Sequence, residues 1–204
     1  MKTLNFLFTV MFIVLFSGFA SGQTAKGNFI AGTGTDLGFS SSSYKTKSDN
    51  GSSDNGNSSN FSLTPTAGYF VAQNLAAGIG LSLSFGSSKS ENFKLTDNSY
   101  AVIPFIRYYV GKEKMKPFLH GAYGFGGGKV KTESGSISVS DYSYSSSSYE
   151  IDGGLAYFLT AHVSVDMKLG FNSNTIKQKQ DNPDNIRNID SHFNAGIGVN
   201  FIFL

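Results

Sequence analysis

Apolar and polar side chains alternate in segments along this chain from Gly27 onward. The clearest segment places apolar residues at every second position, namely Leu75, Ala77, Ile79, Leu81, Leu83 and Phe85. Its intervening positions carry only Ala, Gly and Ser. A period of two is typical of a β-strand with one apolar face, because successive side chains of a strand point to opposite sides.

Eight segments show this alternation, the first from Asn28 to Ser40 and the last near the C-terminus, and their connections alternate in length. Short turns are predicted after segments two, four and six, at Gln73–Asn74, Gly111–Lys116 and Thr160–His162. The other connections are long, polar and rich in Ser, Asn, Asp and Gly, centred on residues 41–60, 86–99, 129–147 and 173–191. We therefore predict an all-β fold, an eight-stranded antiparallel up-and-down barrel with short turns on one rim and long, mobile loops on the other.

The two faces of the predicted strands differ in bulk. The apolar face carries large side chains, whereas the opposite face is rich in Gly, Ser, Ala and Thr. The lumen of an eight-stranded barrel is barely wide enough for side chains, so small residues fit inside and bulky residues fit outside against lipid. A soluble barrel such as a lipocalin would have the reverse arrangement. The pattern thus favours a transmembrane barrel in an outer membrane, with short periplasmic turns and long extracellular loops.

Aromatic residues on the apolar face fall into two groups. Those at the long-loop end are Phe39, Phe61, Phe85, Tyr100, Phe125, Tyr149, Phe171 and Phe193. Those at the short-turn end are Phe29, Tyr69, Tyr108, Tyr157 and Phe201. Four strands carry an aromatic pair such as Phe61 and Tyr69, whose separation corresponds to ~20 Å along the membrane normal at a ~40° strand tilt. The spacing predicts two aromatic girdles that bound an apolar band of bilayer thickness.

The N-terminus has the order of an export signal. Lys2 precedes an apolar run from Leu4 to Phe16, and a stretch of mainly small residues ends at Gly22. The apolar run is shorter than the ~20 residues that a membrane-spanning helix needs. We therefore expect cleavage near Gly22/Gln23, which makes 1–22 a cleaved signal peptide and 23–204 a single outer-membrane β-barrel domain.

Composition excludes several classes of function. The chain has no Cys, so neither a disulfide framework nor a lipoprotein anchor is available. Once Lys2 is removed with the signal peptide, basic and acidic residues are nearly equal in number, and nothing suggests nucleic acid as a partner. No metal-ligand spacing, Walker loop or dinucleotide fingerprint is present, so we expect no metal and no cofactor.

A set of titratable residues falls on the face predicted to line the lumen. Its members are Asp36, Arg107, His120, Glu150, Asp152, Asp166 and Lys168. Counting from the short turns places Arg107, His120 and Asp166 at a lower level and the others higher. Isolated charges are costly to bury, so charges in a narrow lumen must pair or meet water. We expect a salt-bridge plug, and a narrow path for protons or small solutes is the alternative.

Two stretches of sequence carry a resemblance to a known family. The run Pro104-Phe105-Ile106-Arg107-Tyr108-Tyr109 and the following Lys116-Pro117-Phe118 look like the "PFxRYY … PF" hairpin of the small outer-membrane β-barrel family of Gram-negative bacteria, the OmpA/OmpX-like barrels. The C-terminal Val199–Leu204 is similar to the strand that such proteins present to the barrel-insertion machinery, although it ends in Leu rather than an aromatic residue. The resemblance covers essentially the whole mature chain and implies the same fold and location.

Three functions follow as expectations. The leading one is a non-enzymatic surface protein, structural or presenting its loops for adhesion or shielding, monomeric in outer-membrane lipid and with an unknown extracellular partner. The second is a narrow channel for small solutes. The third is a lipid-modifying barrel enzyme, for which His192 with Glu150 is the one arrangement worth naming, because such chemistry needs a histidine ordered by an acid beside a serine.

Overall fold

The computed structural model describes residues 23–33, 38–48, 51–90, 93–111, 113–134, 137–179 and 186–204. The predicted signal peptide and Asp36 lie outside these residues. Ten strands form one antiparallel sheet: β1 Phe29–Thr33, β2 Gly38–Ser48, β3 Gly51–Leu63, β4 Pro65–Ala72, β5 Leu75–Lys89, β6 Phe93–Tyr109, β7 Met115–Ser134, β8 Ile137–Phe158, β9 Val163–Gln178 and β10 Asn188–Phe203. No helix among the described residues is long and apolar enough to cross a membrane.

Backbone hydrogen bonds close the sheet into a ring of eight strands. The order is β1, β4, β5, β6, β7, β8, β9 and β10, and β10 pairs back onto β1. The hairpin of β2 and β3 continues β1 and β4 beyond this ring, and β3 stays paired with the upper part of β5. The eight-stranded antiparallel barrel predicted from the alternation is confirmed, with the first two predicted segments each divided into two strands.

The three short turns lie where the sequence places them. Asn74 closes the first with φ 64°, a left-handed conformation that Asn tolerates because its short polar side chain can bond locally. Gly111 opens the second with φ 92°, which only Gly adopts without strain. The third spans residues 159–162 and is held by the Leu159 N–H donating to the carbonyl oxygen of Val163 at 2.9 Å. All three turns lie on one rim.

The polar segments at the opposite rim require a correction, because most of their length is strand rather than irregular loop. The ladder of β7 and β8 runs without a break from Phe125 opposite Ser147 to Thr132 opposite Ser140, then shifts by a bulge and ends at Ser134 opposite Ile137. Ladder hydrogen bonds come from the backbone, so a Ser-rich segment can extend a hairpin as well as an apolar one. We call the strand segments that lie beyond the upper aromatic residues, such as Phe85, Tyr100, Phe125 and Tyr149, the extension.

The strand faces match the alternation. The outward side chains of the middle of the barrel are exposed, as at Ile79 with 58% and Leu119 with 63% of their surface accessible. Of the predicted girdle residues with described side chains, Phe171 and Phe201 are half-buried and the others are exposed. Phe171 is half-buried because its ring packs at 6.0 Å from that of Tyr149 and at 5.5 Å from that of Phe193. The side chain of Phe39 lies outside the described residues.

Closure of the ring rests on a short ladder. Five residue pairs join β1 to β10, from Phe29 opposite Phe203 to Thr33 opposite Val199. Among the described residues, no ladder joins β2 to the part of β10 above Val199. The inward-facing Gly32 sits in this short ladder, and a Cβ atom placed on it would approach the carbonyl oxygen of Val199 to 2.8 Å.

We therefore predict that Gly32→Leu destabilises the closed barrel by about 1–3 kcal/mol, the usual cost of overpacking. The folded protein should resist SDS at room temperature and migrate differently after boiling, and the variant should lose much of this folded band. Ala31→Leu is the control, because residue 31 points outward in the same ladder. Equal folded fractions for the two variants would contradict this account of closure.

Candidate functional site

The lumen holds two charged groups at different heights, and the lower one is built around Asp166 of β9. Its Oδ2 atom accepts hydrogen bonds from Arg107 Nη1 at 2.7 Å and from Asn200 Nδ2 at 2.7 Å, while its Oδ1 atom accepts from Ser164 Oγ at 3.0 Å. The Asp166 side chain is only 5% exposed. A carboxylate with this many donors is well compensated for its burial.

Arg107 links the lower group to its surroundings. Its Nε atom donates to His120 Nδ1 at 3.3 Å, and its Nη1 atom also donates to the Tyr109 hydroxyl at 3.4 Å. The guanidinium lies 4.6 Å from the centre of the Phe118 ring, a cation–π distance. Because His120 Nδ1 accepts this bond, it carries no proton, so His120 is neutral in this arrangement.

The upper group is built around Lys168 of β9. Its Nζ atom donates to Asp152 Oδ2 at 2.8 Å and to Glu150 Oε1. Asp152 is fully buried, and its Oδ1 atom has no hydrogen-bond partner among the described residues. Lys168 is therefore the shared ion-pair partner of two carboxylates, and it compensates the buried negative charge of Asp152. The structure thus places Arg107, His120 and Asp166 together, and Lys168, Glu150 and Asp152 together above them.

An aromatic cluster fills the lumen on the short-turn side of Arg107. Tyr109 lies at its centre, with ring centroids 5.9 Å from Phe70, 5.8 Å from Phe118 and 6.3 Å from Phe158. Three of these rings have no accessible surface and Phe118 has 2%. Small and branched apolar residues complete the cluster, namely Ile30, Ala76, Ala156 and Ile202. Among the described residues, the main buried apolar cluster is thus a single layer across one end of the lumen, and Val130 and Tyr144 are buried separately in the extension.

The segment just after the predicted cleavage point covers this layer. Thr24 is fully buried, its hydroxyl bonds to the Asn74 side chain, and its carbonyl oxygen accepts from the Asn74 N–H at 2.8 Å. Lys116 Nζ donates to Thr24 Oγ1 at 2.8 Å and lies 5.4 Å from the centre of the Phe158 ring. Sequence reasoning missed this role, because residues 23–26 precede the first alternating segment and show no alternation themselves.

Two cavities lie above the aromatic layer. The lower one, about 60 Å³, lies between the charged groups and is lined by residues of both, including Arg107 and Glu150. The upper one, about 290 Å³, opens into the extension; half of its lining residues are Ser, Asn or Tyr, and Glu150, Asp190 and His192 also line it. There Tyr144 donates to Asp97 Oδ1 at 3.1 Å, and burial, followed by the Asp97 charge, raises the pKa of Tyr144 to about 12. The tyrosine hydroxyl therefore stays protonated as a donor at neutral pH.

The chemistry of the upper group does not fit a metal site. Ligand atoms of His120, Glu150 and Asp152 lie within 4.8 Å of one another. However, the Lys168 ammonium binds both carboxylates, and Arg107 binds the histidine nitrogen. A divalent cation would have to displace a lysine and sit beside an arginine. The cluster is better described as an ion-pair network.

The histidines outside the network have other partners. His192, which the enzyme hypothesis pairs with Glu150, contacts Asp190 Oδ2 at 3.3 Å and is exposed, while Glu150 contacts Lys168. His162, in the third short turn, bonds through Nδ1 to the carbonyl oxygen of Ile202 at 3.0 Å. Its ring is therefore turned onto the last strand.

Comparison with known families decides the identity of the fold. A family model described as "Outer membrane protein beta-barrel domain" matches residues 11–201, nearly the whole chain. The chain belongs to this family. An outer-membrane β-barrel accounts for the two strand faces described above, and its location is the outer membrane. No curated protein sequence matches the chain.

Solved structures with similar folds include three outer-membrane proteins. Neisserial surface protein A is 20% identical, with a TM-score of 0.41, and the match covers 86% of this chain and 97% of that one. OprG from Pseudomonas aeruginosa is 15% identical, with a TM-score of 0.47 and coverage of 90% and 99%. The N-terminal β-barrel domain of OprF from the same organism is 14% identical, with a TM-score of 0.45 and coverage of 88% and 98%.

Proposed function

We propose that this outer-membrane barrel is a non-enzymatic, monomeric surface protein whose lumen is plugged and whose extension meets the extracellular environment. The observation that carries the plug is the aromatic layer around Tyr109. Its four rings leave almost no accessible surface, and the Arg107–Asp166 ion pair lies directly above them. In an eight-stranded barrel, side chains of this size are sufficient to fill the bore.

The surface role is supported by the extension. Its outward residues on β8 are Ser143, Ser145 and Ser147, and its strands continue well beyond Phe125 and Tyr149 at the upper girdle. A surface of paired strands that is rich in hydroxyl groups can adhere to another surface or shield the bilayer. The same proposal includes an extracellular partner that binds this surface. It also includes export through a cleaved signal peptide of residues 1–22 and insertion into the membrane through the last strand.

A narrow channel is the second candidate, and the two cavities favour it. The upper cavity is polar and open to the outside, and the lower one has room for a few water molecules between the charged groups. Conduction would then require a route past the Tyr109 layer. The two candidates thus differ in whether that layer ever opens.

Planar-bilayer recording on the refolded protein tests the proposal. The wild-type protein is expected to show no steady ohmic current, and Tyr109→Ala is expected to allow current by removing the central ring. Tyr108→Ala is the matched control, because its side chain points to lipid and is 48% exposed. Steady current through the wild-type protein would contradict the plug and support the channel.

A further inference from the structure

A group of lysines lies on the outward face of the extension. Lys89 of β5, Lys94 of β6, and Lys129 and Lys131 of β7 are all exposed. They share the face of the girdle residues Phe85, Tyr100 and Phe125, since each is an even number of positions away along its own strand. We call these four lysines the basic patch.

The register brings the basic patch together across three neighbouring strands. Lys89 lies directly opposite Lys94, and Lys94 lies opposite Glu133. Lys131 lies opposite Thr96 on one side and opposite Asp141 on the other. Neighbouring strands are ~4.8 Å apart, so all four ammonium groups can reach one ligand of lipid-headgroup size.

The patch keeps an excess of positive charge. Lys94 Nζ lies 3.8 Å from Glu133 Oε2, and Lys129 Nζ lies 3.0 Å from Asp141 Oδ2. Among the described residues, these two exposed pairs leave Lys89 and Lys131 without an ion pair of their own, although Asp141 lies opposite Lys131. Like charges directly opposite each other, as Lys89 and Lys94 are, destabilise a ladder. An anion bound between the strands would relieve this repulsion.

The height of the patch indicates which anion is available. Lys129 is four residues beyond Phe125, which corresponds to ~10 Å along the membrane normal at a ~40° tilt. Lys131 lies ~15 Å above the same ring by the same estimate. The headgroup layer lies directly outside the aromatic girdle, and long lysine side chains extend toward it. The patch therefore lies above the girdle on the outward face of the barrel, where its long side chains can extend down to the headgroups and not into the lumen.

We propose that the basic patch binds the phosphate groups of a phosphorylated glycolipid in the outer leaflet. The lysines bind the phosphates, while the exposed rings of Phe85, Tyr100 and Phe125 contact the acyl chains below. This binding holds one class of lipid against the β5–β7 side of the barrel. It requires that the barrel spans the membrane with its extension outside, and it does not depend on whether the lumen is plugged.

The test is a titration of the full-length mature protein, folded in nonionic detergent micelles, with bisphosphorylated lipid A. Native mass spectrometry measures the fraction of protein that carries lipid. A basic residue near an anionic surface contributes about a fivefold factor in affinity, so Lys129→Gln/Lys131→Gln and Lys89→Gln/Lys94→Gln should each weaken binding about 25-fold. The wild-type affinity should also fall as salt is raised, because these charges are exposed to screening.

The matched control is Lys26→Gln/Lys114→Gln, which removes two exposed lysines at the short-turn rim. It should bind lipid A as the wild-type protein does, and each variant should keep its heat-dependent shift on SDS gels as evidence of folding. The second comparison replaces the probe with the phosphate-free form of the same lipid, which should bind weakly to all proteins. Equal weakening by the control variant, or equal binding of the two lipids by the wild-type protein, would overturn the proposal.

Discussion

Lys168→Met is expected to destabilise the barrel by about 3–5 kcal/mol, the cost of removing one partner from a buried ion pair. The variant leaves Glu150 and Asp152 facing each other, and Asp152 loses the lysine that serves its Oδ2 atom at 2.8 Å. Asp152 cannot reach bulk water, because it has no exposed side-chain surface, whereas Glu150 lines the upper cavity and is partly exposed. Urea midpoints of refolded protein in lipid vesicles measure the loss.

Two controls define this experiment. Lys177→Met removes an extension lysine away from the network and should change the midpoint little. Lys168→Met combined with Glu150→Gln removes one of the two competing carboxylates and should recover part of the lost stability. Single-channel current is recorded on the same proteins. A midpoint that Lys168→Met leaves unchanged, together with altered current, would disprove the plug and favour the channel.

Leu81→Arg is expected to cost about 2–4 kcal/mol, because it places a charge near the middle of the lipid-facing band. Leu81 is 43% exposed on β5, with the girdle residue Phe85 above it and Ala77 below. Arginine at this depth must draw water or headgroups into the hydrocarbon, since its partner in the ladder is the apolar Val102 of β6. The measurement is a urea refolding titration in lipid vesicles.

The matched variant for depth is Leu75→Arg. Leu75 lies on the same face of the same strand, opposite Tyr108 of the lower girdle. Near the interface the cost should fall to about 0–1 kcal/mol, because the guanidinium reaches the headgroups. If arginine were tolerated equally at positions 81 and 75, the apolar band would not lie where the strands place it.

The local pattern determined much of this fold. The period of two assigned the inward and outward residues of each strand, and the short turns at Gln73–Asn74 and near Gly111 followed from where the alternation stops. The same counting placed Arg107 at one lumen level and Lys168 at another. These features were predictable because the direction of a side chain and the position of a turn depend on neighbouring residues in sequence.

The extension was not predictable from composition. Its Ser- and Gly-rich segments lack the apolar residues that mark a strand, so sequence reasoning assigned them to irregular loops. A ladder needs backbone partners, and those exist because the hairpin below already holds the two strands in register. The buried Thr24 was missed for a similar reason, since its contacts with Asn74 and Lys116 join distant parts of the chain.

The sequence by itself determined that this chain forms eight amphipathic strands with charges on the inward face, because those properties are written in a local, two-residue period. Only the tertiary structure decided that Arg107 meets Asp166, while one lysine at position 168 serves both Glu150 and Asp152. It also decided that Phe70, Phe118 and Phe158 converge on Tyr109. The physical reason is that closure and strand stagger set which inward residues share a height, and neither is encoded in the alternation of a single strand.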